Sequence, residues 1–93
     1  MPEMRFNIRW PDGRRDSCYS PSLVVKDHLA VGQCYELSDF LVRCRTALAI
    51  ASERVRARYG HPCGFAQAQL AEIESSARGF AGDTQVCVEA FEE

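Results

Sequence analysis

The sequence contains little lysine, no long apolar run and none of the common catalytic motifs. Lys26 is the one lysine among 11 basic residues, and the others are arginines, which form bidentate ion pairs more readily. No stretch approaches the ~20 apolar residues that a membrane span requires, and residues 1–5 lack the pattern of a secretory signal. We therefore expect no membrane association and a cytoplasmic location.

The five cysteines lack the spacing of a known metal or redox site. Their odd number and wide separation, without a secretory signal, favour reduced thiols over a disulfide framework. Four residues are of types that bind metals, but no C-x-x-C pair is present and their spacings match no common site. These residues are His28, Cys34, His61 and Cys63. A Gly-rich phosphate loop is also absent, so the sequence predicts neither a metal nor a cofactor.

Composition and charge fit one folded domain over residues 1–93. Apolar residues make up 46% of the chain and charged residues 26%, which is typical of globular proteins. The net charge of −2 gives no general attraction to nucleic acid or anionic lipid. Residues 43–58 nevertheless hold five arginines and one glutamate, whereas residues 61–93 hold six acidic residues and one arginine. These two segments could pair within one protomer or between two.

Residues 4–19 are predicted to form a β-hairpin. Apolar and polar residues alternate over residues 4–10, which is the period of a strand with one solvated face. The Pro-Asp-Gly sequence at residues 11–13 is a strong turn signal, and residues 14–19 can return as a second strand. The polar character of that strand indicates an edge strand or a half-exposed strand. Residues 22–29 could be a short helix or an irregular segment.

The longest helix, called α1 below, is predicted over residues 37–59. Ser38 is a suitable N-cap, and Gly60 is a suitable left-handed C-cap before Pro62. At 100° per residue, the apolar side chains form a core stripe about 120° wide. The stripe consists of Leu37, Phe40, Leu41, Cys44, Ala47, Leu48, Ala51, Val55 and Tyr59.

The opposite face of this helix carries little charge. Its residues are Val42, Thr46, Ala49, Ile50, Glu53 and Ala57. A helix face turned to solvent normally carries charged and polar side chains, so a second packing partner, either another helix or another protomer, would explain this composition. We predict that these six residues, called the α1 back face below, form an interface.

A second helix and a final strand complete the predicted fold. Residues 63–80 have helical periodicity, and residues 84–91 alternate with Val86, Val88 and Ala90 directed inward. The element order is β-β-(α)-α-α-β, which predicts a two-layer α+β domain. A three-stranded, mainly antiparallel sheet would pack against two main helices, with the last strand beside the first.

Two groups of residues suggest alternative functions. Cys63 lies where a helix dipole would lower its pKa, and His61 could act as its base in a small enzyme or ligand carrier. Neighbouring residues rarely orient in that way, and no third group is identifiable. Four arginines could bind nucleic acid in a regulator, but they flank the core stripe on both sides instead of forming one basic face. They are Arg43, Arg54, Arg56 and Arg58.

Four segments of the chain together resemble a known protein family. They are MRFxxRWPDG at residues 4–13, CYSPSLVVK at 18–26, ALxxASERVRxxYG at 47–60 and VEAFE at 88–92, where x marks a position that does not contribute to the resemblance. In this order they resemble a family of small bacterial proteins named for a nitrogen-starvation response and first noted in mycobacteria. The resemblance spans nearly the whole chain, and no single segment is a functional motif.

This resemblance implies a genomic neighbourhood and not a reaction. The family is encoded beside a nitrilase, a radical-SAM protein, a flavin-dependent oxidoreductase, an acetyltransferase and a synthase-like protein, in a cluster linked to the assimilation of nitrile or cyanide nitrogen. It supplies no catalytic residue to carry over, and a neighbourhood is not a mechanism. We therefore expect a non-catalytic accessory protein that forms a homodimer or binds an enzyme of that cluster.

Overall fold

The computed structural model describes residues 2–93, which form one sheet and two α-helices. In chain order the elements are β1 (Met4–Arg9), β2 (Arg15–Ser20), a 3-10 helix (Leu23–Asp27), β3 (Cys34–Glu36), α1 (Leu37–Tyr59), α2 (Gly64–Ala77) and β4 (Gln85–Glu92). The strands are antiparallel in the order β2-β1-β4-β3, and the helices pack on one face of the sheet. The α+β class and the place of the last strand beside the first are confirmed.

The sheet has four strands instead of the three that the sequence predicted. The additional strand, β3, pairs with β4 so that Tyr35 lies opposite Val86. Three residues are too few for an alternating pattern to be recognised, and β3 therefore escaped prediction. The segment over residues 22–29 contains the 3-10 helix, which begins after Ser22, whose hydroxyl accepts a hydrogen bond from the Val24 N–H at 3.3 Å.

β1 and β2 form the predicted hairpin, with β2 at one edge of the sheet. The turn closes through a hydrogen bond from the Trp10 N–H to the Arg14 carbonyl at 2.7 Å. Gly13 has a φ of 90°, a conformation that side-chain-bearing residues rarely adopt. The apolar side chains of β1 are buried against the helices, and its arginines lie on the open face.

A bulge in the pairing of β1 with β4 changes which residues of β4 face the core. Beyond the register shift, Phe91 lies opposite Phe6 and packs against the core. Val86 and Val88 are buried as predicted, whereas the prediction that Ala90 points inward is wrong. One extra residue in a strand reverses the alternation after it, and periodicity alone cannot locate such a residue.

α1 has the predicted bounds but not the predicted N-cap. No side chain caps its first turn. The Leu37 N–H donates instead to the Thr84 carbonyl at 2.7 Å, and the Ser38 N–H donates to the Gly82 carbonyl at 3.1 Å. Backbone carbonyls of the turn before β4 thus satisfy the first N–H groups of the helix. At the other end Gly60 adopts a φ of 86°, as predicted for a left-handed C-cap.

The core lies between the sheet and the inner face of α1. Of the nine predicted stripe residues, the buried ones are Leu37, Phe40, Cys44, Ala47, Leu48 and Ala51. Leu41 and Val55 are half-buried, and Tyr59 is exposed, contrary to its predicted place in the core. Within residues 2–93, no helix combines the length and the apolar character needed to cross a bilayer.

An aromatic cluster joins the end of β1 to α1 and to the turn after α2. Trp10 contacts Phe40 edge to face, with 6.1 Å between ring centroids, and stacks on Phe80 at 5.9 Å. The Trp10 Nε1–H donates to Asp16 Oδ2 at 2.7 Å, so its polar atom has a partner. α2 ends at Ala77, three residues before the predicted end, and Phe80 packs on Trp10 from the turn that follows.

A disulfide connects β3 to β4, and the prediction of reduced thiols is therefore wrong for two of the five cysteines. Cys34 and Cys87 lie directly opposite each other in the sheet and are bonded. They are on the open face of the sheet, because their neighbours Tyr35 and Val86 face the core. A separation of 53 residues gives no sequence signal, since the pairing depends on the register of a strand that was not predicted.

Candidate functional site

The predicted reactive pair lies in the short link between α1 and α2. Cys63 is half-buried, and its backbone N–H donates to Ser52 Oγ at 3.3 Å. His61 is exposed, and its Nδ1 lies 3.4 Å from the Pro62 carbonyl oxygen. Within residues 2–93 no hydrogen bond joins the imidazole to the Cys63 thiol, so the structure does not assemble a nucleophile and its base here.

The other two free thiols, Cys18 and Cys44, are buried in the core. Burial, followed by the negative charges of Asp16 and Glu72, raises the pKa of the Cys18 thiol to about 12. Burial also raises the pKa of Cys44, with a smaller effect of Cys18. Both groups remain protonated at neutral pH, and a protonated thiol is neither a nucleophile nor a metal ligand.

Alkylation can distinguish the accessible, the buried and the disulfide-bonded cysteines. At about pH 8, we expect iodoacetamide to label the folded, unreduced protein once, at Cys63, because the other free thiols are buried. Unfolding without reductant should raise the number of labels to the three free cysteines, and reduction should raise it to all five. Intact-protein mass spectrometry measures these numbers. Five labels on unfolded protein without reductant would contradict the Cys34–Cys87 bond.

The metal-binding residue types weighed from the sequence are not gathered at one place. No cluster of three or more His, Cys, Asp or Glu residues that could hold a metal ion occurs within residues 2–93. Of the four residues considered, His28 precedes β3 and His61 follows α1. Cys34 is bonded to Cys87, and a disulfide sulfur is not the thiolate that metal ions bind.

The four arginines proposed for anion binding have four different sets of partners. The Arg43 guanidinium bonds Asp39 Oδ2 at 3.0 Å and the His28 carbonyl at 2.8 Å, and it lies 4.6 Å from the centroid of the Tyr35 ring. Each of the other three arginines contacts a different residue. Arg54 donates to Ser22 Oγ at 2.9 Å, Arg56 pairs with Glu53, and Arg58 lies 5.8 Å from the centroid of the Tyr59 ring.

The α1 back face is open to solvent in the single chain. Val42 is 57% exposed, Ile50 is half-buried, and Thr46, Ala49 and Ala57 are exposed. Glu53, its one charged member, is neutralised by the ion pair with Arg56. The hydrogen bond from Arg56 lowers the pKa of the Glu53 carboxyl below its usual value. The surface available to a partner therefore combines four apolar residues with Thr46 and with one charge that is already paired.

A second surface, between β2 and α2, was not predicted from the sequence. The Arg14 carbonyl accepts a hydrogen bond from the Trp10 N–H across the hairpin. Because successive residues of a strand direct their backbone N–H and C=O groups to opposite sides, the odd-numbered residues of β2 direct theirs to the free edge of the sheet. The Tyr19 N–H on that edge donates to Gln69 Oε1 of α2 at 2.9 Å. α2 thus covers part of an edge strand that would otherwise be free to pair with another chain.

A cleft of about 380 Å³ lies beside this hydrogen bond and is called the β2–α2 cleft below. The rings of Tyr19 and Phe65 meet edge to face at its rim, with 6.2 Å between centroids, and Phe65 is 77% exposed. The Tyr19 hydroxyl donates to Glu3 Oε2 at 3.0 Å. The cleft is lined by Glu3, Arg5, Tyr19, Phe65, Ala68, Gln69 and Glu72.

One sequence signal could have indicated this cleft. Phe65, Gln69 and Glu72 are spaced i, i+4, i+7, so they share one face of α2 at an angle to its core face. An aromatic residue on the polar side of an amphipathic helix departs from the usual pattern. The contribution of Tyr19 could not be read in the same way, because it depends on how α2 lies against β2.

Comparison with known proteins identifies a family but no individual relative. Searches of curated proteins and of solved structures gave no match. The family model described as nitrogen starvation-induced protein NitG matches residues 5–91. That range includes every strand except the first residue of β1 and the last of β4, both helices, and most of the β2–α2 cleft. The chain belongs to the NitG family of nitrogen starvation-induced proteins.

Proposed function

We propose that this protein is a non-catalytic accessory protein of the nitrogen-starvation response and acts by binding other proteins through the α1 back face. The observation that carries the proposal is the exposure of apolar side chains on that face, with Val42 57% exposed. Apolar surface that gathers in a patch on a folded chain marks interaction sites. The charge of Glu53 is already compensated within the helix, so a partner would not leave it unpaired.

The first partner that we propose is a second copy of the chain. A two-fold homodimer is the simplest closed assembly, because one self-complementary patch is sufficient to form it. A small domain also gains stability when it buries further apolar area against a partner. The proposed alternative partner is an enzyme of the gene cluster for nitrile or cyanide assimilation. The proposed location of the protein is the cytoplasm.

A charge on the α1 back face tests this proposal. Val42→Glu should convert the dimer to a monomer, because it places an unpaired carboxylate inside the interface. A buried unpaired charge costs several kcal/mol, and about 3 kcal/mol corresponds to a ~100-fold weaker dimer. Ile50→Glu should act in the same direction. Sedimentation equilibrium measures the dissociation constant, and circular dichroism verifies that each variant is folded.

Val31→Glu is the matched control for this experiment. Val31 is 49% exposed and lies in the turn before β3, outside the α1 back face. The same substitution there should leave the dimer intact. A wild-type chain that sediments as a monomer, and that retains no enzyme of the gene cluster in pull-downs, would overturn the proposal. Equal weakening by Val31→Glu and Val42→Glu would also count against it.

A further inference from the structure

We propose that the β2–α2 cleft is a docking site for an arginine or lysine side chain that a partner protein presents between apolar residues. This inference shares with the proposed function only the premise that the chain binds proteins. It concerns a different surface, made of residues of β2 and α2 together with Glu3 and Arg5 at the start of β1. Its test can therefore fail or succeed independently of self-association through α1.

The rim of the cleft is formed by two aromatic rings. Phe65 is 77% exposed, which makes it the most exposed of the large hydrophobic residues described. Its ring and that of Tyr19 stand at 74° to each other and form two walls of a corner. Cations bind to the faces of aromatic rings, and guanidinium groups do so often. A partner that docks here would also bury the Phe65 ring, which is now in contact with water.

The charged residues of the cleft give it a negative net charge. Glu3 and Glu72 line it together with one cation, Arg5, which gives a local net charge of −1. Neither carboxylate forms an ion pair within residues 2–93. A smaller depression of about 270 Å³ continues from the cleft past Arg5 toward Glu92, so the surroundings add further negative charge. A basic side chain complements this charge, whereas an acidic side chain would be repelled.

Tyr19 is held in place at the rim of the cleft by two hydrogen bonds. Its hydroxyl is held by Glu3 and its backbone N–H by Gln69, so both ends of the residue are fixed before a ligand arrives. Burial, followed by the hydrogen bond to Glu3, raises the pKa of the phenol to about 12, so it remains a neutral donor. Pre-organised aromatic side chains lose little conformational entropy on binding and are frequent at the centres of interfaces.

The size and openness of the site favour a side chain of a protein partner over a free small molecule. At about 380 Å³, the cleft is near the lower end of the range for ligand sites. It opens on the surface beside the edge of β2, where a partner chain can lie across it. Apolar residues on each side of the basic one would then cover Phe65.

The experiment uses ¹⁵N-labelled full-length protein and a blocked pentapeptide with a central arginine between two leucines. We expect NMR shift changes at Tyr19, Phe65 and the Gln69 side-chain amide, with a dissociation constant in the ~mM range. The same peptide with neutral citrulline at the centre should bind about tenfold more weakly, because it keeps the shape and loses the charge. A peptide with central glutamate should not bind.

Two variants and two controls locate the effect. Phe65→Ser and Glu72→Gln change exposed side chains and should each weaken the arginine peptide roughly 5- to 10-fold. Val31→Ser, at an exposed position that does not line the cleft, should leave the affinity unchanged. Val42→Glu should also leave it unchanged, which separates this site from the α1 back face. Equal binding of the citrulline peptide, shifts confined to other residues, or no shift at several mM would overturn the proposal.

Discussion

Replacing Phe40 by alanine is expected to lower the free energy of unfolding by about 3–5 kcal/mol. Phe40 lies on the inner face of α1, is fully buried and contacts the edge of Trp10, so its removal leaves a cavity between the helix and the sheet. A domain of this size has a total stability of roughly 5–15 kcal/mol, and the variant would therefore be close to unfolding. Urea denaturation followed by Trp10 fluorescence measures the change.

Phe65→Ala is the matched control for the Phe40 prediction. It makes the same chemical change on α2 but at a ring that is 77% exposed. Its cost should stay below ~1 kcal/mol, the scale of one edge-to-face contact with Tyr19. Similar losses for the two variants would show that the core between α1 and the sheet is not packed as described.

Reduction of the Cys34–Cys87 bond is expected to lower the free energy of unfolding by about 2–4 kcal/mol. The bond closes a loop of 53 residues that includes α1 and α2, and a loop of that length restricts the unfolded chain strongly. Cys34 is exposed, so a small dithiol can reach it without unfolding of the protein. Thermal or urea unfolding with and without dithiothreitol measures the difference.

Serine substitutions provide the controls for the reduction experiment. The double variant Cys34→Ser/Cys87→Ser should have the stability of the reduced wild type and should not respond to dithiothreitol. Cys63→Ser removes a thiol that is outside the bond and should keep the full response. Unfolding curves of the wild type that coincide within ~0.5 kcal/mol with and without reductant would contradict the prediction.

The parts of the fold that the sequence predicts are those with a long and regular period. Residues 4–10 alternate over enough positions to define β1, and residues 37–59 carry a stripe that defines α1 to its last residue. Gly60 ends that helix in the predicted way because left-handed geometry has a strong residue preference. Such local signals need no knowledge of the rest of the chain.

The parts that were missed depend on contacts between distant segments. β3 is too short for a period, the first turn of α1 is satisfied by backbone carbonyls near Gly82, and Cys34 meets Cys87 through strand register. The β2–α2 cleft has the same origin, because Gln69 reaches Tyr19 across 50 positions in sequence. Apart from the spacing of the cleft residues on α2, these features have no sequence pattern of their own, and each requires the tertiary arrangement to be known.

The position of β4 also sets the order in which the molecule can be completed during synthesis. β4 lies between β1 and β3, yet it follows every other element along the chain. The hairpin and both helices therefore leave the ribosome before the strand that joins the two parts of the sheet. Pairing between such distant segments is slow to form, so we expect the newly made chain to expose its unpaired β1 edge until β4 emerges and inserts.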